Sequence, residues 1–252
     1  MGDGKVSYNP ETKTLTLNGV NFPFKSDSNA LSNGITVRES GVTMVLNGNN
    51  VVYSAWDNFT IYGGGDVTIT GTGSLECYAQ NPGQKGLGLG GTLTLASDFQ
   101  GTVFVTGSVG AWIGGTLCVQ GGTFRARQNG VAQTGPQNGS MWLSLGRVEV
   151  DGGSVIAEKN VNMLGGTLKF SKGRLEVGNE AVWYNGIAGM WFLIPSKIEL
   201  DEGASVAVPE RGRVCATEDG KEISIISHGQ TKLKSDFSNA ARHIVIVGQD
   251  NE

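Results

Sequence analysis

Asp66–Cys77 reads DVTITGTGSLEC: a short alternating strand, a tight glycine turn, then a second short alternating strand. The phrase returns as Thr116–Ala126 (TLCVQGGTFRA), Arg147–Ala157 (RVEVDGGSVIA), Thr167–Val177 (TLKFSKGRLEV) and Lys197–Ala207 (KIELDEGASVA). Thr92–Val105 (TLTLASDFQGTVFV) is the same unit with a longer turn, and Gly34–Met44 (GITVRESGVTM) is a weaker copy. The units begin at residues 34, 66, 92, 116, 147, 167 and 197. Self-similarity at such spacing marks a solenoid or a propeller, and a propeller blade needs four strands in roughly 40–45 residues. Here each unit holds two clear strands. A fainter third precedes several of them, in Gly86–Gly91, Gly110–Gly115, Met141–Gly146 and Val161–Gly166. Three short strands per unit is the coil of a parallel β-helix.

Stacking such coils about 4.8 Å apart turns alternate positions into inward columns. One predicted column runs Ile35, Val67, Leu93, Leu117, Val148, Leu168, Ile198; two residues on come Val37, Ile69, Leu95, Val119, Val150, Phe170, Leu200. Every member is apolar. The outward row between them reads Thr36, Thr68, Thr94, Cys118, Glu149, Lys169, Glu199. On the second strand the outward row is expected to be Thr43, Glu76, Phe104, Arg125, Ile156, Glu176 and then Val206 or Ala207. A solenoid must cover its terminal apolar faces and strand edges. The reading is therefore one all-β domain over residues 1–252: an N-terminal β cap at 5–33, about seven coils at 34–208, and a C-terminal β cap at 209–252.

Composition agrees with this and excludes other classes. Glycine supplies 40 of 252 residues, well above the usual ~7%, and each interior glycine costs a helix about 1 kcal/mol. Only six prolines and no Gly-X-Y period exclude collagen. With 38% hydrophobic residues and net charge −4 the chain is not of the disordered type. A pI near 5.3 gives no electrostatic case for nucleic acid, and no apolar run approaches the ~18 residues of a membrane span. The start, MGDGK, lacks the apolar core of a signal peptide, so a leader would lie outside this chain. Cys77, Cys118 and Cys215 are odd in number without CxxC spacing and read as small core or surface residues, with one disulfide left open.

Thr43–Val52 (TMVLNGNNVV), Asp66–Leu75 (DVTITGTGSL), the recurrent Gly-Gly-Thr-Leu and Gly-Gly-Thr-Phe turns, and Tyr8–Leu17 (YNPETKTLTL) resemble secreted bacterial right-handed β-helix proteins. These are pectate-lyase-like in fold and often described as carbohydrate-binding domains. The resemblance covers roughly residues 8–208. It implies an extracellular or cell-surface setting and contact with a polysaccharide or glycan, and it brings no catalytic motif that matches here. An adhesin-like, monomeric, non-catalytic role without a cofactor follows as the leading expectation.

Aromatic side chains are the better lead to a binding site, because sugar rings stack on exposed indoles. Trp112 and Trp142 occupy similar places in successive coils, where an indole fills the interior or covers a coil edge unless it faces a ligand; Trp56, Trp183, Tyr184 and Trp191 lie in or beside long loops, with the same two readings open. Asp57 beside Trp56 and Asn185 beside Tyr184 would bond a sugar's rim. The candidate ligand-binding set is Trp56, Asp57, Trp142, Trp183, Tyr184 and Asn185. The alternative is a polysaccharide lyase or glycoside hydrolase acting on an acidic polysaccharide, with Glu149, Lys169, Glu176 and Glu199 converging in a groove, where carboxylates could hold Ca²⁺. Calcium wants 6–8 oxygens, and opposite charges often alternate down a solvated ladder. His228 and His243 have no partner predictable from sequence. A purely structural surface module is the third alternative.

Overall fold

Where Val, Ile, Leu or Phe alternates with Thr, Ser or a charged residue, period-2 burial builds strands, and among the described residues of this computed structural model there is no helix. Those residues are 5–22, 34–54, 59–79, 83–129, 139–178, 189–193, 196–216, 223–230, 241 and 243–248.

Three parallel ladders run through the molecule. The first contains Thr14–Asn18, Val42–Asn47, Val67–Gly71, Thr92–Leu95 and Thr116–Val119, then residues 147–150 and 167–170, then Lys197–Leu200. The second contains Asn21–Phe22, Asn49–Ser54, Ser74–Ala79, Thr102–Gly107 and Thr123–Gln128, then residues 154–157 and 174–177. The third contains Ile35–Val37, Phe59–Gly63, Lys85–Leu89, Val109–Ile113, Gly139–Ser144, Asn160–Leu164 and Gly189–Leu193. Along the chain, strands fall on the three ladders in rotation, which is a β-helix-like solenoid. Arg147–Ala157 and Thr167–Val177 run unbroken round a corner and join the first two ladders into one 16-stranded sheet.

The predicted columns form, with one correction at their start. Val42, not Ile35, stands beside Val67, and Met44, not Val37, stands beside Ile69. Ile35 and Val37 instead pair with Ile61 and Gly63 on the third ladder. Both segments alternate identically, so the choice falls to backbone pairing: Gly41 and Val42 donate their N–H groups to the Asp66 carbonyl at 2.9 and 3.2 Å. From Val67 onward the columns follow the predicted order, and Leu95, Leu117, Val119 and Phe170 are fully buried. For the same reason Thr43 faces Thr68 on the first ladder, and Val51 takes the place beside Glu76 that was expected for Thr43.

At the other end, Ile244–Val247 pairs antiparallel with residues 174–177 and with Ser205–Val208. Val245 therefore stands beside Glu176 where Val206 or Ala207 was expected, and Val206 pairs with Ile246. An antiparallel strand ends the parallel ladder it joins, one way of closing an exposed edge. Val6–Asn9 pairs antiparallel with Thr14–Asn18 at the opposite end, and Arg213–Ala216 pairs antiparallel with Ile223–Ile226.

Two glycine stacks explain much of the glycine excess. A Cβ on Gly101 would fall 1.8 Å from the Gly73 carbonyl oxygen, and one on Gly115 would fall 2.0 Å from that of Gly91. Neither glycine has positive φ. The side chain is excluded because successive rungs meet backbone to backbone at the corners. A turn asparagine does further work: Asn50, fully buried, accepts from the Val20 N–H at 2.9 Å and donates to the carbonyls of Asn47, Gly48 and Ser74 at 3.2, 3.3 and 3.0 Å. It ties three consecutive rungs together.

Candidate functional site

The third ladder carries an outward aromatic row. Its inward face is set by Ile61, Leu87, Ala111, Met141 and Val161, all buried. One residue on, pointing the other way, the register aligns Tyr62, Gly88, Trp112, Trp142 and Asn162. Tyr62, Trp112 and Trp142 are each partly exposed. At the gap left by Gly88, the Phe59 ring lies across the rung: a Cβ on Gly88 would fall 2.4 Å from its ring carbons. The Phe59 centroid is 5.6 Å from Tyr62 and 6.2 Å from Trp112, tilted by 36° and 47°, within the range of favourable aromatic pairs. Tyr62 to Trp142 covers four rungs, three spacings or ~14 Å of largely apolar surface on a rigid sheet.

Lys85 supplies the row's charge. Its Nζ sits 5.0 Å from the Phe59 centroid, and burial pushes the ammonium pKa down. The row thus offers ring faces and one cation, and it ends at the buried Asn162, whose Oδ1 accepts from Asn160 Nδ2 at 3.1 Å. Of the sequence-derived ligand set, Trp142 belongs to this row. Trp56, Asp57, Trp183, Tyr184 and Asn185 lie outside the described residues. Sequence reading paired Trp112 with Trp142 but missed Tyr62 and Phe59. Their link to the tryptophans is a Gly88 rung that only register reveals.

The charged candidates do not gather at one point. Glu149, Lys169 and Glu199 are successive neighbours on the first ladder. Arg147 bonds Glu149 through Nε and approaches Glu199 at 3.9 Å, while Lys169 pairs with Asp201 at 3.7 Å. Glu176 sits on the second ladder with its own partners, Arg174 Nη2 at 2.7 Å and His243 Nε2 at 3.2 Å. Burial pushes the Glu176 carboxyl up, but hydrogen bonds from Arg174 and His243 outweigh it and hold the pKa below the usual range. His243 thus has a partner that sequence could not supply, 67 residues away. These ion pairs resemble a solvated ladder, where each contributes about 0–1 kcal/mol.

A second surface feature went unnoticed in the sequence. On the outer side of the second ladder, Ser74, Glu76, Tyr78, Thr102, Phe104, Arg125 and Arg127 line a groove of about 280 Å³. Tyr78 stacks on Tyr53 at 5.0 Å and meets Phe104 edge-on at 5.9 Å. The Tyr78 hydroxyl donates to Glu76 Oε2 at 2.6 Å; burial and this carboxylate push its pKa up to about 12.

Cys77 and Cys118 are buried, Cys215 is partly exposed, and none of the three is in a disulfide. Among the described residues no group of three or more His, Cys, Asp or Glu side chains is arranged to hold a metal ion, and no helix is long and apolar enough to cross a membrane. The chain matches no family model, no curated protein and no solved structure.

Proposed function

We propose that this chain is a non-catalytic glycan-binding β-helix that lays a polysaccharide along the aromatic row of its third ladder. The carrying observation is the in-register pairing of Trp112 with Trp142, both partly exposed, continued by Phe59 and Tyr62. Aromatic faces are electron-rich, so they attract the polarised C–H faces of pyranose rings, and a row at rung spacing serves an extended chain better than a single sugar. Lys85, on the Gly88 rung, supplies a polar contact beside the rings. The finer architecture belongs to the same proposal: one domain, a right-handed pectate-lyase-like winding of about seven coils, a β cap at each end, and an extracellular or cell-surface setting.

Glycan-array and polysaccharide pull-down assays test this. Binding should appear for at least one extended glycan, and Trp112→Ala and Trp142→Ala should each weaken it roughly tenfold, as expected for loss of one stacked ring. Undiminished binding by a folded Trp112→Ala/Trp142→Ala variant would refute the reading, as would failure of the parent protein to bind any glycan.

A further inference from the structure

We infer that the second-ladder groove is a separate subsite for an anionic, polyhydroxylated ligand: a sugar unit bearing a carboxylate, sulfate or phosphate. On the rung next to the arginines, just past Ala157, stands Glu158, whose side chain is wholly buried. Arg125 Nε donates to its Oε1 at 2.5 Å, and Arg127 Nε donates to its Oε2. A buried carboxylate is costly unless well paired; here two guanidinium groups share it, one at each oxygen. Each guanidinium also lies 5.5 Å from the Phe104 centroid. The two long side chains are thus fixed by Glu158 on one flanking rung and by the Phe104 ring on the other, while remaining about 40% and 37% exposed. Fixed, part-exposed guanidiniums are suited to planar oxyanions, because their donors are already oriented.

The opposite wall selects against a bare anion. Glu76 neighbours Phe104, which neighbours Arg125, so the carboxylate stands two rungs from the guanidinium, ~9.6 Å along the ladder. Ionised, Glu76 accepts hydrogen bonds only and repels an oxyanion placed beside it. A ligand satisfying both walls presents an anion to Arg125 and Arg127 and hydroxyl donors to Glu76, with Ser74 and Thr102 between. An acidic monosaccharide unit does this; inorganic sulfate does not. The groove is distinct from the third-ladder row, because the two faces share none of these residues.

The test measures dissociation constants for three probes: a hexuronate-containing oligosaccharide, its neutral parent, and a sulfated or phosphorylated form of that parent. Inorganic sulfate serves as a fourth. At least one acidic form should bind roughly tenfold or more tighter than the neutral parent, and raising salt should erode the difference. Which acidic form binds best identifies the anion. Removing one arginine alone would leave Glu158 buried and underpaired, so the decisive variant is Arg125→Met/Arg127→Met/Glu158→Leu, an exchange of an ion cluster for apolar side chains that folds commonly tolerate. It should abolish the acidic preference, whereas Trp112→Ala/Trp142→Ala should retain it. Glu76→Gln should narrow the gap between acidic sugar and inorganic sulfate. Equal binding of acidic and neutral forms, no binding of any probe, or an acidic preference that survives the triple variant would overturn the assignment. Inorganic sulfate binding as tightly as the acidic sugar would overturn the role given to Glu76.

Discussion

Replacing Gly101 with alanine should damage the solenoid far more than replacing Gly41, although Gly41 has the unusual backbone. Gly41 has φ +79° and nothing within 4 Å of where a Cβ would stand, so alanine there costs only left-handed strain, about 1–2 kcal/mol. At Gly101 the added carbon would lie 1.8 Å from the Gly73 carbonyl oxygen, where real Cβ contacts essentially never fall below 3.0 Å. The corner must therefore open by about 1.2 Å, and overpacking of this kind costs about 1–3 kcal/mol. That opening also stretches the adjoining rung bonds, Thr123 N–H to the Gly101 carbonyl at 3.0 Å and Gln100 N–H to the Gly71 carbonyl at 3.1 Å. Each such bond contributes about 0.5–1.5 kcal/mol net. The sum is about 2–6 kcal/mol, or roughly 4–24 °C in Tm for a chain of this size, against ~2–8 °C at Gly41. Differential scanning calorimetry on both variants measures it, with hydrogen exchange resolving local fraying, since repeat arrays need not unfold in one step. Equal loss at the two sites, or a larger loss at Gly41, would refute backbone crowding as the reason for the glycine stack.

Three further outcomes follow from the same structure. Gly88→Ala should displace the Phe59 ring, cost about 1–3 kcal/mol, and change Trp112 fluorescence; an unchanged emission spectrum would mean that the ring does not lie over residue 88. Asn50→Asp should destabilise more than Asn50→Ala, because a buried carboxylate would face the carbonyls of Asn47, Gly48 and Ser74. That burial raises the aspartate's folded pKa, so its penalty should grow as pH rises above ~4, where the unfolded chain ionises; urea melts at pH 3.5 and 7 read it. The Glu176 carboxyl has the opposite sign. Its folded pKa is depressed, so its stabilising effect is present above the ordinary value of 4.5 and lost as pH falls through the folded value. Glu176→Gln should therefore flatten the acid limb of a stability–pH curve, and an unaltered limb would exclude Arg174 and His243 as the cause.

The repeat was legible because its elements are local. Alternation and glycine turns recur within a dozen residues, as in Asp66–Cys77, and a buried face imposes period 2 wherever a strand forms. That sufficed for the all-β class, the parallel ladders and the columns from Val67 to Leu168. Alternation carries no label for which ladder a strand joins. Ile35–Val37 and Val42–Met44 look alike, and only the hydrogen bonds to the Asp66 carbonyl placed the second beside Val67. The exchange of Val206 for Val245 had the same origin, since a chain reversal near the end brings a distant strand onto the edge.

The surface depended still more on tertiary structure. Trp112 and Trp142 were recognisable as a pair from equivalent places before their glycine turns. Joining Phe59 and Tyr62 to them required the third ladder's register and the bare Gly88 rung. Arg125 read as an ordinary outward residue and Arg127 stood out not at all, until Glu158 met them from 33 and 31 residues away. By itself the sequence determined what repeats: strand, turn and inward column, all enforced by nearest neighbours along the chain. The tertiary structure alone decided what lies side by side across rungs, because outward side chains are free of the burial that disciplines inward ones and acquire partners only once the coils are stacked.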